Sequence, residues 1–111
     1  MSRRDRDRLE DILVSIDAIG RHLKRGDLHD GLVFDAVRVR LIEIGEAVRV
    51  VSAEILAAEP DIPWTQIAGM RNRLAHQYFD TSHAILAATV SEDLPELQAA
   101  ARRLISTIER E

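Results

Sequence analysis

The chain has 111 residues, 46% apolar and 31% charged, with a formal net charge of −4, a balance expected of one soluble domain with a single core. That charge excludes coating nucleic acid by bulk electrostatics, and no apolar run approaches the ~20 residues that span a bilayer. With no cysteine, disulfides and thiolate metal sites are excluded and a cytoplasmic location is expected. The basic residues are all Arg except Lys24, so any nucleic-acid contact must rest on a local patch such as Arg71 with Arg73. The stretch Met1–Arg8 has no apolar segment and does not read as a secretory leader.

The spacing predicts helices throughout. The first runs from about Asp5 to Lys24, with Leu9, Ile12, Ile16, Ile19 and Leu23 stepping 3-4-3-4. Arg25-Gly26-Asp27 closes it, with Gly26 expected at the C′ position. The second is the longest, from about Gly31 to Ala58, and Phe34, Val37, Leu41, Ile44, Val48, Val51 and Ile55 form its seam. Val39, Ile42, Val50 and Ala53 make a second apolar strip away from that seam. A helix apolar on two sides needs two partners, one of them here a second subunit. Glu46, flanked by Ile42 and Val50, reads either as a solvated rim carboxylate or as a carboxylate at a dimer cleft.

Glu59-Pro60-Asp61-Ile62-Pro63-Trp64 breaks the chain, and Pro63 suits the first turn of a third helix. Trp64, Ile67 and Met70 point inward along it. Asp80-Thr81 offers the N-cap of a fourth helix, whose stripe Leu86, Val90, Leu94, Leu97, Ala101, Leu104, Ile108 keeps phase through Pro95. A kinked continuation is therefore expected rather than a fifth helix. The architecture read from these elements is all-α: an up-down bundle of four to five helices in one domain, residues 1–111, without repeats or linker.

The third helix carries Arg71-Asn72-Arg73-Leu74-Ala75-His76-Gln77-Tyr78. Arg offers planar, bidentate donors to a phosphate, and His exchanges a proton near neutral pH. One Arg and one His on a helix also read as ordinary surface residues. On an undisturbed helix, positions five apart lie about 140° around the axis, so Arg71 and His76 do not share a face, whereas Asn72 and His76 do. Arg71 and His76 converge if the helix ends near His76, or if two copies meet across a two-fold axis. No two of His22, His29, His76 and His83 are four residues apart, so no protein metal site is expected. His22, His29 and His83 read as surface or helix-end residues. Neither a Gly-rich phosphate loop nor a Gly-x-Ser-x-Gly elbow is present.

The chain resembles the HepT-like proteins of the HEPN superfamily. The resemblance rests on Ile44-Gly45-Glu46-Ala47, Ile62-Pro63-Trp64, Gly69 through Tyr78 with its complete Arg-x4-His-x-Tyr element, and Asp93-Leu94-Pro95-Glu96-Leu97, in that order. It implies a small all-helical, two-fold homodimer acting as the ribonuclease toxin of a type VII toxin–antitoxin system. The antitoxin partner would be a minimal nucleotidyltransferase (MNT). Arg71 and His76 inherit the catalytic roles, Asn72 matches the polar residue that often follows the motif Arg, and Tyr78 inherits the site of adenylylation. By chemistry alone Tyr78 would pack its ring beneath the loop; the resemblance instead makes it an accessible acceptor.

The expected reaction is metal-free and cofactor-free cleavage of tRNA or mRNA, leaving a 2′,3′-cyclic phosphate, with Glu46 tuning the pair. Two other readings come from different classes. One is a HEPN binding module that presents substrate or nucleotide to a transferase without cutting. The other is a helical dimer that only assembles with or neutralises a partner. The intact Arg71/His76 pair favours the nuclease.

Overall fold

Helices α1 (Arg3–Leu23) and α2 (Gly31–Val50) form the long antiparallel pair on which the rest of the chain packs. The computed structural model describes residues 3–75 and 78–110. Past α2 come three short helices: α3 (Ala53–Leu56), α4 (Trp64–Ala68) and α5 (Met70–Arg73). They are followed by α6 (Phe79–Ala88), a π-helical turn over Thr89–Asp93, and α7 (Leu94–Arg110). α7 lies against α1, while α4, α5 and α6 line up along α2. The result is an all-α bundle with no strand among the described residues.

The predicted seams are the core. Leu9, Ile12 and Ile19 of α1 meet Val37, Leu41, Ile44 and Val48 of α2 and Leu97, Ala101 and Leu104 of α7, all buried. Ile67, Met70 and Leu74 close the core beneath the motif segment.

Several boundaries differ from the sequence reading. α2 ends at Val50, not near Ala58, because Val51 turns extended (φ −69°, ψ 138°). The buried Asp5 carboxylate holds that break by accepting the Ser52 N–H at 3.0 Å and the Ser52 hydroxyl at 2.8 Å. Val51 and Ile55 stay buried beyond it, so the apolar phase continues although the helix does not. Gly26 is not a left-handed cap, since no described glycine has positive φ. It sits where a Cβ would meet Val33 Cγ2 at 3.2 Å, and Asp30 caps α2 by accepting from the Leu32 and Val33 N–H groups.

Pro63 is the residue before α4 rather than within it. The Trp64 indole N–H donates to the carbonyls of Leu56 and Glu59, at 3.1 and 3.0 Å, and staples the proline loop. The third helix is not continuous: it breaks at Gly69 and ends at Arg73. α6 starts at Phe79 with Tyr78 at its N-cap position, two to three residues earlier than Asp80-Thr81 predicted. The continuation through Pro95 holds, and its device is the π turn, in which the Leu94 N–H reaches the Thr89 carbonyl five residues back.

Candidate functional site

The motif segment runs back along α2. Arg71 lies beside Glu46, the Leu74 carbonyl accepts from Arg38 Nη2 at 3.4 Å, and Phe79 meets Phe34. Phe34, Arg38, Ile42 and Glu46 follow one another at intervals of four, a single ridge of α2. What lets the segment approach this ridge is Gly45. A Cβ at that position would stand 2.6 Å from the Ile67 carbonyl oxygen and 3.3 Å from Met70 Cβ. The bare backbone of α2 thus seats α4 and α5, and the residue after Met70 is Arg71.

Arg71 donates from Nε to Glu46 Oε1 at 3.0 Å, with side chains 64% and 45% exposed. Its two Nη nitrogens take no partner among the described residues, and a guanidinium carries two such donors suited to bidentate contact with an anion. Asn72 is exposed beside it. Arg73 is half-buried, with Nη1 enclosed and unpartnered among the described residues. The expected Arg71–Arg73 patch is therefore one exposed cation held by a carboxylate and one largely withdrawn cation. Tyr78 is 73% exposed. α5 ends at Arg73, so the helical projection used for Arg71 and His76 does not extend beyond it; His76 and Gln77 lie outside the described residues.

Arg71 and Glu46 border a groove of about 510 Å³ between α1 and α2. Its polar wall alternates Arg8, Arg40 and Arg71 with Asp11, Glu43 and Glu46, and its apolar wall is Val14, Ile42, Ala47 and Val50. Three cations against three carboxylates make the groove electrically balanced. The second apolar strip is open as well: Val39 is 51% and Val50 38% exposed, with Val14 of α1 adding 58%. Ala53, assigned to the same strip, is exposed beyond the end of α2.

Sequence reading missed a ring cluster at the end of this segment. His83, expected at the surface or at a helix end, is half-buried within α6 and stacks on Phe34 (5.8 Å between centroids, 4°) and on His29 (5.1 Å, 21°). Phe79 leans on Phe34 and His83 at 4.9 and 5.4 Å. The one-turn spacing of Phe79 and His83 was visible, but not that Phe34 and His29 would meet them. Among the described residues no group of three or more His, Asp or Glu could hold a metal ion. No described helix is long and apolar enough to cross a membrane.

Comparison with known proteins gives this arrangement a family. Residues 9–104 match the family described as ribonuclease HepT-like. The Probable ribonuclease HepT of Thermococcus cleftensis is 33% identical over 108 residues, covering 94% of this chain and 98% of that protein. A Methanocaldococcus jannaschii protein named as a putative RNase is 33% identical over 105 residues, covering 91% and 87%. No solved structure matches. An all-helical chain matched over nearly its whole length, with Arg71 offered to solvent from the Arg-x4-His-x-Tyr element, belongs to the HepT-like ribonuclease family.

Proposed function

We propose that the chain is the toxin of a type VII toxin–antitoxin system, a metal-independent endoribonuclease that works as a homodimer on tRNA or mRNA. The observation that carries this reading is exposed Arg71, anchored through Nε on Glu46, with no partner for its Nη donors among the described residues. A single-stranded phosphodiester fits those donors in bidentate fashion. The ribose 2′-oxygen attacks the adjacent phosphorus, the bond to the 5′-oxygen breaks, and a 2′,3′-cyclic phosphate and a 5′-hydroxyl result. His76 takes the 2′-hydroxyl proton or returns one to the departing 5′-oxygen. Arg71 neutralises the charge that builds on the phosphorane oxygens. Asn72 orients substrate or imidazole, Glu46 tunes the pair, and Arg73 adds positive potential behind them.

Two copies placed across a two-fold axis through the Val39, Ile42 and Val50 face of α2 would bring both Arg71 side chains toward one cleft. This dimer covers the exposed strip and shares the groove between protomers.

The same reading assigns Tyr78 as the regulated position. An MNT antitoxin would transfer AMP from ATP to the Tyr78 oxygen, with pyrophosphate leaving. The exposure of the ring supports access by another enzyme. The added phosphate carries negative charge two residues from His76 and competes with RNA for Arg71, so inhibition needs no conformational change.

Expression of the chain alone in a bacterium tests the reading. Growth arrest with RNA fragments ending in cyclic phosphate is expected, and both are lost in His76→Ala. A chain that binds RNA or its transferase without cutting would instead be the binding module. For regulation, co-expression with a neighbouring transferase should place AMP on the Tyr78 peptide, and Tyr78→Phe should escape neutralisation by adenylylation.

A further inference from the structure

Phe79 is 52% exposed although it is an apolar ring at the first position of a helix. It is supported by rings rather than isolated. Phe34, only 5% exposed, and His83 hold it at 4.9 and 5.4 Å, tilted 48° and 46°. The exposed His29 extends the cluster by stacking on His83. His83 Nε2 is enclosed and takes no partner among the described residues, so this imidazole packs as an aromatic body. Three elements are thereby pinned together: the loop before α2, the start of α2, and the start of α6. A ring fixed in this way offers a preformed surface at little entropic cost.

We infer that Phe79, backed by Phe34, His83 and His29, is a stacking platform for one unpaired base of the RNA strand whose phosphate sits at Arg71. The inference rests on the ribonuclease reading and extends it to how the strand is held. The path is set by α2. From Glu46, where Arg71 is anchored, to Phe34, where Phe79 rests, is twelve residues, or about 18 Å of helix axis, a span that a few nucleotides of extended strand cover. The guanidinium of Arg38 lies between, on the same ridge.

Charge selects which part of the strand the platform takes. Asp30 caps α2 directly after His29, and Asp80 directly follows Phe79, both exposed. Carboxylates repel phosphates but leave a neutral base free to stack, and stacking tolerates any base because every base has a π face. A duplex buries its base faces within the helix, so the platform restricts the enzyme to single strands, loops or ends.

The test uses a short fluorescent oligonucleotide with 2′-deoxyribose throughout, which has no internal nucleophile, and an abasic site moved through it one position at a time. Against the full chain, one abasic position should weaken binding roughly 5- to 150-fold, the range expected for one lost base–aromatic stack. Phe79→Leu, which keeps apolar bulk, should weaken the intact probe by the same factor and remove the dependence on that position. Phe79→Trp should restore both. Equal binding at every abasic position while the chain still cleaves RNA overturns the platform and leaves the nuclease reading standing. A chain that neither binds nor cleaves any RNA overturns both. Phe79→Leu lowering the sedimenting mass while leaving oligonucleotide affinity unchanged would assign the rings to a protein contact and also overturns the platform.

Discussion

Gly45→Ala probes the contact on which the site depends. In the wild type the α2 backbone passes so close to α4 that an added Cβ would stand 2.6 Å from the Ile67 carbonyl oxygen, where ordinary contact begins at 3.4 Å. The motif segment must therefore retreat by roughly 0.8 Å, the difference between those two distances. Forced insertion of a methyl group into a packed interior costs about 1–3 kcal/mol, while replacing a helical Gly by Ala returns about 0.5–1 kcal/mol. The net expectation is a loss of up to about 2.5 kcal/mol, read as a lower urea midpoint at unchanged slope. Function should suffer more than stability. Arg71 follows Met70, whose Cβ is the second atom the new methyl meets at 3.3 Å, and misplacing a catalytic group by about 1 Å can cost up to ~10²-fold in rate. RNA cleavage reduced about tenfold or more in a chain that still folds cooperatively is the expected result. A Gly45→Ala chain more stable than wild type by the full helix-propensity gain, with undiminished cleavage, would refute the close approach.

Other perturbations follow from the same contacts. Asp5→Ala removes the acceptor of two hydrogen bonds from Ser52 and should cost about 2 kcal/mol in chemical denaturation; an unchanged midpoint would mean the break after α2 needs no tether. Arg103 donates twice to the Glu59 carboxylate, at 3.1 and 2.7 Å, and these bonds hold its pKa below the usual carboxylate value. A depressed carboxylate stabilises the fold above its unfolded pKa and loses that contribution as pH falls through the folded value. Glu59→Gln should therefore be less stable by under about 1 kcal/mol at neutral pH, the Arg103 side chain being 58% exposed, and should converge on wild type in acid. A difference independent of pH would remove the ion pair as its cause. Ile42→Asp should turn a sedimenting dimer into a monomer, because an unpaired charge in the proposed interface costs several kcal/mol of association. A wild-type chain already monomeric at micromolar concentration would remove the dimer.

What could be read from the sequence was periodic. The stripes of α1, α2 and α7 repeat over several turns, and each repeat adds independent support, so most of the core was named, although Ile16, Leu23, Val90 and Ile108 are only partly buried and Ala18, Val33, Ala100 and Ile105 join the core unpredicted. The ends did not, because they depend on contacts distant in sequence. Nothing near Ser52 announces that Asp5, 47 positions away, will catch its N–H, and the apolar phase of Val51 and Ile55 carries on through the break. The motif segment was misread as continuous helix for a related reason. Its inward positions Trp64, Ile67 and Met70 have helical spacing, yet the backbone reorganises at Gly69 to fit against Gly45. The same limit hid the ring cluster, whose members come from both sides of α2. For the candidate site, Arg71, Glu46 and Tyr78 were all named from the motif and from the apolar strip. That Glu46 would serve Arg71 was expected, but the form of the contact was not: Glu46 was placed by one pattern and Arg71 by another, and only the folded chain shows Nε meeting Oε1 at 3.0 Å within one protomer.

That contact bears on how a lone exposed Arg can serve a reaction. An ion pair with both side chains about half exposed or more contributes at most about 1 kcal/mol, so it is not a stabilising device for the fold. Its geometry is more informative than its energy. Glu46 engages Nε, which constrains the guanidinium, while the Nη donors take no partner among the described residues. A freely rotating Arg would have to be ordered each time a phosphate arrived, and holding it beforehand lowers that cost. Because the pair is weak, it also yields if the incoming phosphate needs Nε. In the proposed reaction the carboxylate would balance the charge of Arg71 before substrate arrives, aim the cation when a phosphate binds, and not block it. Replacing Glu46 by an apolar residue would leave the charge of Arg71 in place but not its aim, which is why strand binding and strand cleavage need not fall together.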